Sequence, residues 1–265
     1  MVRAKKFLGQ HFLKDKTIAS KIVDSLDAAS GNILEVGSGT GVLTRFLLQR
    51  PENLSLVEID RESIAFLRAT YPELRTPESG YDENRKTVLY QDDFLEMELN
   101  NLFGNSSFSV IGNFPYNIST QIFFKVIEYK AIIPEVVGMV QKEVAERMIA
   151  SPGNKTYGIL SVLLQRWYNI EYLFTVDENV FIPPPKVKSA VIKMTRNDRQ
   201  DMQCDENLFI RLVKTTFNQR RKTIRNSIKP LLGDKTYDCD FMNLRPEQLS
   251  IEQFIDFTNE IEKIL

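Results

Sequence analysis

The sequence predicts an α/β fold: a seven-stranded, mostly parallel sheet covered by helices on both faces, followed by a small all-α domain. Three observations carry this expectation. Apolar strand-like runs alternate with helical stretches through the first three quarters of the chain, and alternating β and α units build parallel sheets with helices on each face. A glycine-rich turn follows the first of these runs directly. After Thr195 the strand patterns stop and helical ones take over, so the domains are expected at 1–195 and 196–265.

The elements follow in order. "NILEVG" (32–37) is a short buried strand, followed by "SGTG" and a helical stretch from Val42 to Gln49. "LSLVEID" (54–60) is a second strand, and Arg61 to Ala69 a second helix. "TVLYQDD" (87–93), "FSVIGN" (108–113), "EVVGMVQ" (135–141), "NIEYLFTV" (169–176) and "SAVIKMT" (189–195) complete seven strands. The polar stretch 75–87 reads as a surface loop without chemistry, and 196–207 as a polar linker. Helices are expected from Asp205 to Phe217, Gln219 to Lys229 and Ile251 to Leu265. Between Phe217 and Leu231, the apolar residues Phe217, Ile224, Ile228 and Leu231 recur on one helical face.

Composition narrows the function classes. With 43 % hydrophobic and 26 % charged residues, the 265-residue chain has a soluble, globular make-up. No apolar run approaches the ~18 residues of a membrane span, and the basic start has no apolar core or cleavage site of a signal peptide. Cys204 and Cys239 lie far apart without a CxxC pair, which argues against structural zinc and for a reduced, cytoplasmic setting. One histidine, His11, weighs against a His–Ser or His–Cys couple. No metal site is expected. The net charge of −1 conceals an uneven spread: residues 1–14 carry four Lys/Arg and residues 209–230 carry seven, neither with an acid, so the remainder is acidic.

Two stretches carry chemistry. In "EVGSGTG", Gly37, Gly39 and Gly41 alternate right after the first strand, where glycines let backbone approach a ligand and free a helix N-terminus to face it. The spacing is GxGxG, since Val42 stands where a dinucleotide fingerprint needs its third glycine. Glu58 ends the second strand 21 residues after Gly37, where an acid can accept two ribose hydroxyls. Together these features point to a nucleoside-containing ligand. The second stretch, "GNFPYNIS" (112–119), ends a strand at Pro115, which has no N–H to give. It reads either as a turn with Tyr116 packed on the core or as a polar pocket with an amide acceptor and an aromatic face.

The glycine turn and Glu58 resemble motifs I and II of class I S-adenosylmethionine-dependent methyltransferases, which have a Rossmann-like fold. Asp93 stands where these enzymes place an acid near the adenine amino group, with Asp92 as its competitor. "NFPY" then resembles the (N/D/S)PPY motif of enzymes that methylate exocyclic amino groups of bases. Adenine N6 is a poor nucleophile because its lone pair is delocalised. Acceptors on its protons restore that lone pair: the Asn113 side chain for one, and a backbone carbonyl at Phe114 or Pro115 for the other. Pro115 fixes the turn, and Tyr116 offers a stacking face to a flipped base. Phe181, ahead of three prolines in "FIPPPKVKSAV" (181–191), is the candidate second face, with core filler as its alternative.

"FLGQHFL" (7–13), "EVGSGTGVLT" (35–44), "GNFPYNIS", "QKEVAERM" (141–148), "YGILSVL" (157–163), "FIPPPKVKSAV" and "FNQRRKTIRNSI" (217–228) occur in that order. The set resembles the small-subunit ribosomal RNA adenine dimethyltransferase family, over residues 3 to about 264. The resemblance implies dimethylation of N6 on two adjacent adenosines in the 3′-terminal hairpin loop of small-subunit (16S) rRNA, and a role in subunit biogenesis. It implies S-adenosylmethionine as cofactor, held by His11, Leu13, Gly37, Gly39, Glu58, Asp93 and Asn113, with His11 standing where many members have Asn. Catalysis falls to Asn113, Pro115, Tyr116 and Phe181, and RNA contacts to Lys142, Arg147, Arg220, Arg221, Lys222 and Arg225. The implied partner is rRNA within the (pre-)30S subunit, met by a monomer, with no DNA and no membrane. The macrolide-resistance ribosomal RNA methyltransferases are the nearest rival family. A primarily assembly-checkpoint role is an alternative from another class, and a DNA amino-methyltransferase is a third option.

Overall fold

The structure is a computed structural model that describes residues 2–76, 87–199 and 203–265. Residues 77–86 of the expected surface loop and 200–202 of the expected linker lie outside the described residues.

After a single 3-10 turn (Lys6–Leu8) come a two-residue strand, β1 (Phe12–Leu13), and helix α1 (Lys16–Asp24). Asp15 caps α1 by accepting from the Thr17 and Ile18 N–H groups. Then follow β2 (Asn32–Val36), α2 (Thr44–Leu47), β3 (Asn53–Glu58), α3 (Arg61–Thr70), β4 (Thr87–Gln91), β5 (Ser109–Asn113), α4 (Ser119–Glu128) and β6 (Glu135–Gln141). After α5 (Lys142–Met148) and α6 (Ile159–Trp167) come β7 (Tyr168–Val176), the two-residue β8 (Phe181–Ile182) and β9 (Ser189–Arg196).

Seven of these strands form one sheet in the order β4-β3-β2-β5-β6-β9-β7. The pairs β3–β4, β2–β3, β2–β5 and β5–β6 are parallel, and β6–β9 is antiparallel. Burial explains the residue types: all five residues of β2 and six of seven in β6 are buried, as expected of apolar strands covered on both faces. Strand β7, at the edge, is buried only at its two end residues and is exposed or half-buried between them. Sequence order reverses between β2 and β5, and open α/β sheets bind ligands beyond the strand carboxyl ends at such a switch point.

The chain divides into two compact units, one of Met1–Ala145 with Ile170–Arg196, the other of Glu146–Asn169 with Asn197–Leu265. In this division 146–169 joins the C-terminal segment, whereas the boundary was expected at 195/196. The reason is packing: Tyr157 and Trp167 set their rings edge-on to Phe217 and Phe209, with centroids 6.1 and 6.3 Å apart. The second unit contains α6 with α7 (Glu206–Asn218), α8 (Ile224–Ser227), α9 (Lys229–Leu232) and α10 (Ile251–Glu262).

The expected helix from Gln219 to Lys229 is not continuous. Helix α7 ends at Asn218, residues 219–223 form turns, and the Ile224 N–H donates to Leu244 O at 2.8 Å instead of to the residue four before it. Pro230, without an N–H, is the second residue of α9 (Lys229–Leu232), in the first turn where that N–H has no helical partner. Phe217, Ile224 and Ile228 are nevertheless buried and Leu231 half-buried. Among the described residues, no helix is long and apolar enough to cross a membrane.

Candidate active site

The carboxyl ends of β2, β3 and β5 open onto one cavity, lined by the glycine turn, the "NFPY" loop, the 92–95 turn and residues 8–13. The glycine turn is shaped by close contact. Gly39 has a φ of 53°, and a Cβ there would come within 2.9 Å of the Phe12 ring. Its N–H donates to Glu58 Oε2 at 2.8 Å, and the Asp60 N–H donates to Glu58 Oε1 at 2.8 Å. Glu58 is buried, and burial raises its pKa, opposed by these N–H donors. Each oxygen keeps a second lone pair, so the carboxylate fits a ribose diol. Asp60 caps α3 and pairs with Lys5, which ties the segment before β1 to this end of the sheet.

Asp92 and Asp93 both border the cavity. Asp92 Oδ1 accepts from the Asp93 N–H at 2.8 Å and Asp93 Oδ1 from the Leu95 N–H at 2.9 Å, so both side chains help shape the turn. Lys125 on α4 braces that turn by donating to Leu95 O and Met97 O at 2.8 and 2.5 Å.

The "NFPY" loop is seated by its phenylalanine. Phe114 is 1 % exposed, and its ring meets Phe123 edge-on at 5.8 Å. It lies where Cβ atoms of Gly112 and Gly138 would stand, at 2.7 and 2.3 Å from ring carbons. Its N–H donates to Met139 O at 3.0 Å. Asn113 Nδ2 donates to His11 O at 2.9 Å, which turns Oδ1 away as an acceptor; no described residue donates to it. Pro115 O accepts from the Ile118 N–H at 3.2 Å, whereas Phe114 O has no donor among the described residues. Of the two carbonyls expected as second acceptor, only Phe114 O is thus left without a donor among the described residues. The Tyr116 hydroxyl bonds Ser189 Oγ, and its ring lies 5.2 Å from that of His11, tilted by 30°. His11 Nδ1 donates to Pro183 O at 2.8 Å.

Of the expected site residues, His11, Leu13, Gly37, Gly39, Glu58, Asp93, Asn113, Pro115 and Tyr116 border this one cavity. Phe181 does not. It is 1 % exposed, pairs with Leu13 in the β1–β8 ladder and belongs to the core, while Ile182 beside it is 58 % exposed. Strand alternation turns Phe181 inward, so the structure places it as core filler. The expected RNA contacts are spread out. Arg221 and Lys222 are exposed in the turns between α7 and α8. Arg225 pairs with Asp238 at 2.6 Å, and Arg220 lies 3.9 Å from Glu247. Lys142 opens α5, and Arg147 stands near its end, where its carbonyl accepts from Ser161 Oγ.

Three residues escaped the sequence reading. Glu35 borders the cavity, is 1 % exposed, and accepts from Thr44 Oγ1 at 2.7 Å. Burial raises its pKa to about 7. Its place two residues before Gly37 was a usable signal. Ser189 and Lys125 gave none, since their partners are distant in sequence.

Comparison with known proteins then decides the family. The family model for ribosomal RNA adenine dimethylase matches residues 1–263. The chain belongs to the ribosomal RNA adenine dimethylase family. It is 57 % identical over 269 residues to a Bacteroides thetaiotaomicron protein named ribosomal RNA small subunit methyltransferase A, covering 100 % of this chain and 96 % of that one. A Flavobacterium johnsoniae protein of the same name is 52 % identical over 263 residues, 98 % of this chain and 97 % of that one. Solved structures bear out the class I methyltransferase fold. A Plasmodium falciparum dimethyladenosine transferase superposes with a TM-score of 0.76 at 23 % identity, covering 96 % of this chain and 98 % of that one. The 23S rRNA methyltransferase ErmE gives 0.65 at 21 %, covering 94 % and 99 %.

Proposed function

We propose that this dimethylase family member transfers methyl groups to N6 of two adjacent adenosines in the 3′-terminal hairpin loop of small-subunit rRNA. The observation that carries the reading is a pair of acceptors without donors among the described residues, Asn113 Oδ1 and Phe114 O, on two residues that line the same cavity as Glu58 and the glycine turn.

S-adenosylmethionine, when bound, supplies an already electrophilic methyl group. In this reading Glu58 holds its ribose, the glycine turn lets its backbone come close, and Asp93 or Asp92 meets its adenine. Asn113 Oδ1 and Phe114 O accept the N6 protons and draw the nitrogen toward tetrahedral geometry. Tyr116 gives the extruded base a stacking face. Positioning in line does most of the work, which suits a chain with one histidine.

The substrate in this reading is rRNA within the (pre-)30S subunit, met by a cytoplasmic monomer. The helical unit holds the phosphate backbone through Arg221 and Lys222, which are exposed. Lys142, Arg147, Arg220 and Arg225 serve as further contacts. Labelled S-adenosylmethionine with unmethylated small subunits, followed by nucleoside analysis, tests the reading. N6,N6-dimethyladenosine at two neighbouring positions is expected. Label confined to large-subunit RNA or to DNA would overturn it.

A further inference from the structure

We propose that Ser189 is a positioning residue for methyl transfer, holding the Tyr116 hydroxyl and so setting the plane of the ring on which the acceptor base stacks. This role rests on the functional reading above.

Ser189 is 0 % exposed and does not border the cavity; Tyr116 does. It opens β9, in register with Gln141 of β6, so its hydroxyl sits on a strand inside the sheet. Tyr116 lies in a loop between β5 and α4, and its backbone alone leaves two side-chain torsions free. The structure restrains both ends of the ring. At the body, the His11 imidazole packs 5.2 Å away, and at the tip, the hydroxyl meets Ser189 Oγ.

The two restraints have a common source. His11 Nδ1 donates to Pro183 O at 2.8 Å, and the hydroxyl at the other end of the 183–189 segment takes the phenol. The same His11 accepts from Asn113 Nδ2 through its carbonyl. One segment therefore holds both the stacking ring and the neighbour of the amide acceptor. A phenylalanine at 116 would fill nearly the same space, so the hydroxyl adds orientation more than packing. A buried hydroxyl that loses its partner also loses that orientation.

The test compares Ser189→Ala, Tyr116→Phe and the double variant. Turnover is measured on unmethylated small subunits, and S-adenosylmethionine affinity by calorimetry. His11 is the sole histidine, so a single imidazole resonance reports on the Tyr116 ring beside it. Both single variants should slow kcat by about five- to tenfold, and the double variant should be no slower than either. Cofactor affinity should stay unchanged, and the imidazole resonance should move in all three. Wild-type turnover in either single variant, or losses that multiply in the double, would overturn the role. Should Ser189→Ala fail to fold, Tyr116→Phe removes the same bond from outside the sheet and decides alone. Wild-type protein that transfers no methyl group to subunit RNA would overturn the functional reading itself, and the Ser189 role with it.

Discussion

At the scale of single residues, the site depends on what each polar atom has left to give. Asn113 spends its N–H on His11 O and keeps its oxygen. Asn113→Ala should therefore lower kcat by a hundredfold or more, about 3 kcal/mol, with S-adenosylmethionine affinity largely kept. Single-turnover kinetics with calorimetry check both parts. Phe181 has the opposite character. Because it is 1 % exposed in the core, Phe181→Ala should cost about 3–5 kcal/mol of stability, and Phe181→Leu much less. A normal melting temperature with a specific catalytic loss would restore the stacking role. Glu35 makes stability depend on pH. Burial raises its folded-state pKa from 4.5 to about 7, so the fold favours the protonated form. The resulting penalty is absent below 4.5, grows as pH rises, and is complete above about 7. It amounts to about 3 kcal/mol at most. From pH 5 to pH 8 the wild-type melting temperature should fall relative to that of Glu35→Gln, and parallel curves would refute the assignment.

At the scale of elements, periodicity and glycine placement made the sheet legible. The seven expected strands match the observed ones to within two residues at either end, and the glycine turn and Glu58 occupy the expected strand ends. What stayed hidden depends on partners distant in sequence. The β1–β8 pair has only two residues per strand and no pattern to detect. The helix expected over 219–229 had the right apolar spacing, but Leu244 O captures the Ile224 N–H. Phe114 shows no periodic signal of its own, and its seat comprises Gly112 two residues before it and Gly138 on the neighbouring strand. That seat carries a prediction. A Cβ on Gly138 would stand 2.3 Å from the Phe114 ring, so Gly138→Ala must displace the loop that holds Asn113. The expected cost is about 1–3 kcal/mol of stability, together with slower transfer. Combining it with Phe114→Leu should cost less than the sum, and strict additivity in thermal unfolding would show that the two positions do not share space.

At the scale of the whole molecule, charge separates two tasks. The chain carries a net −1, yet residues 209–230 hold seven cations and no acid. Not all seven are equal in the structure: Arg225 is paired with Asp238, and Arg220 lies near Glu247. Arg221 and Lys222 are exposed in turns, the position from which a cation can meet a phosphate without giving up a partner. Phosphate contacts release counterions, and each contact adds somewhat under about one unit to the log–log salt slope. The double substitution Arg221→Glu with Lys222→Glu should therefore weaken binding to small subunits and flatten that slope by nearly two. Arg225→Ala should change it less, because Asp238 already offsets that charge. S-adenosylmethionine affinity should be untouched in both, since the cavity residues belong to the other unit. Filter binding across a salt series reads slope and affinity together. An unaltered slope in the double variant would make this basic stretch a solvated surface and move the docking role to the cations of residues 1–14.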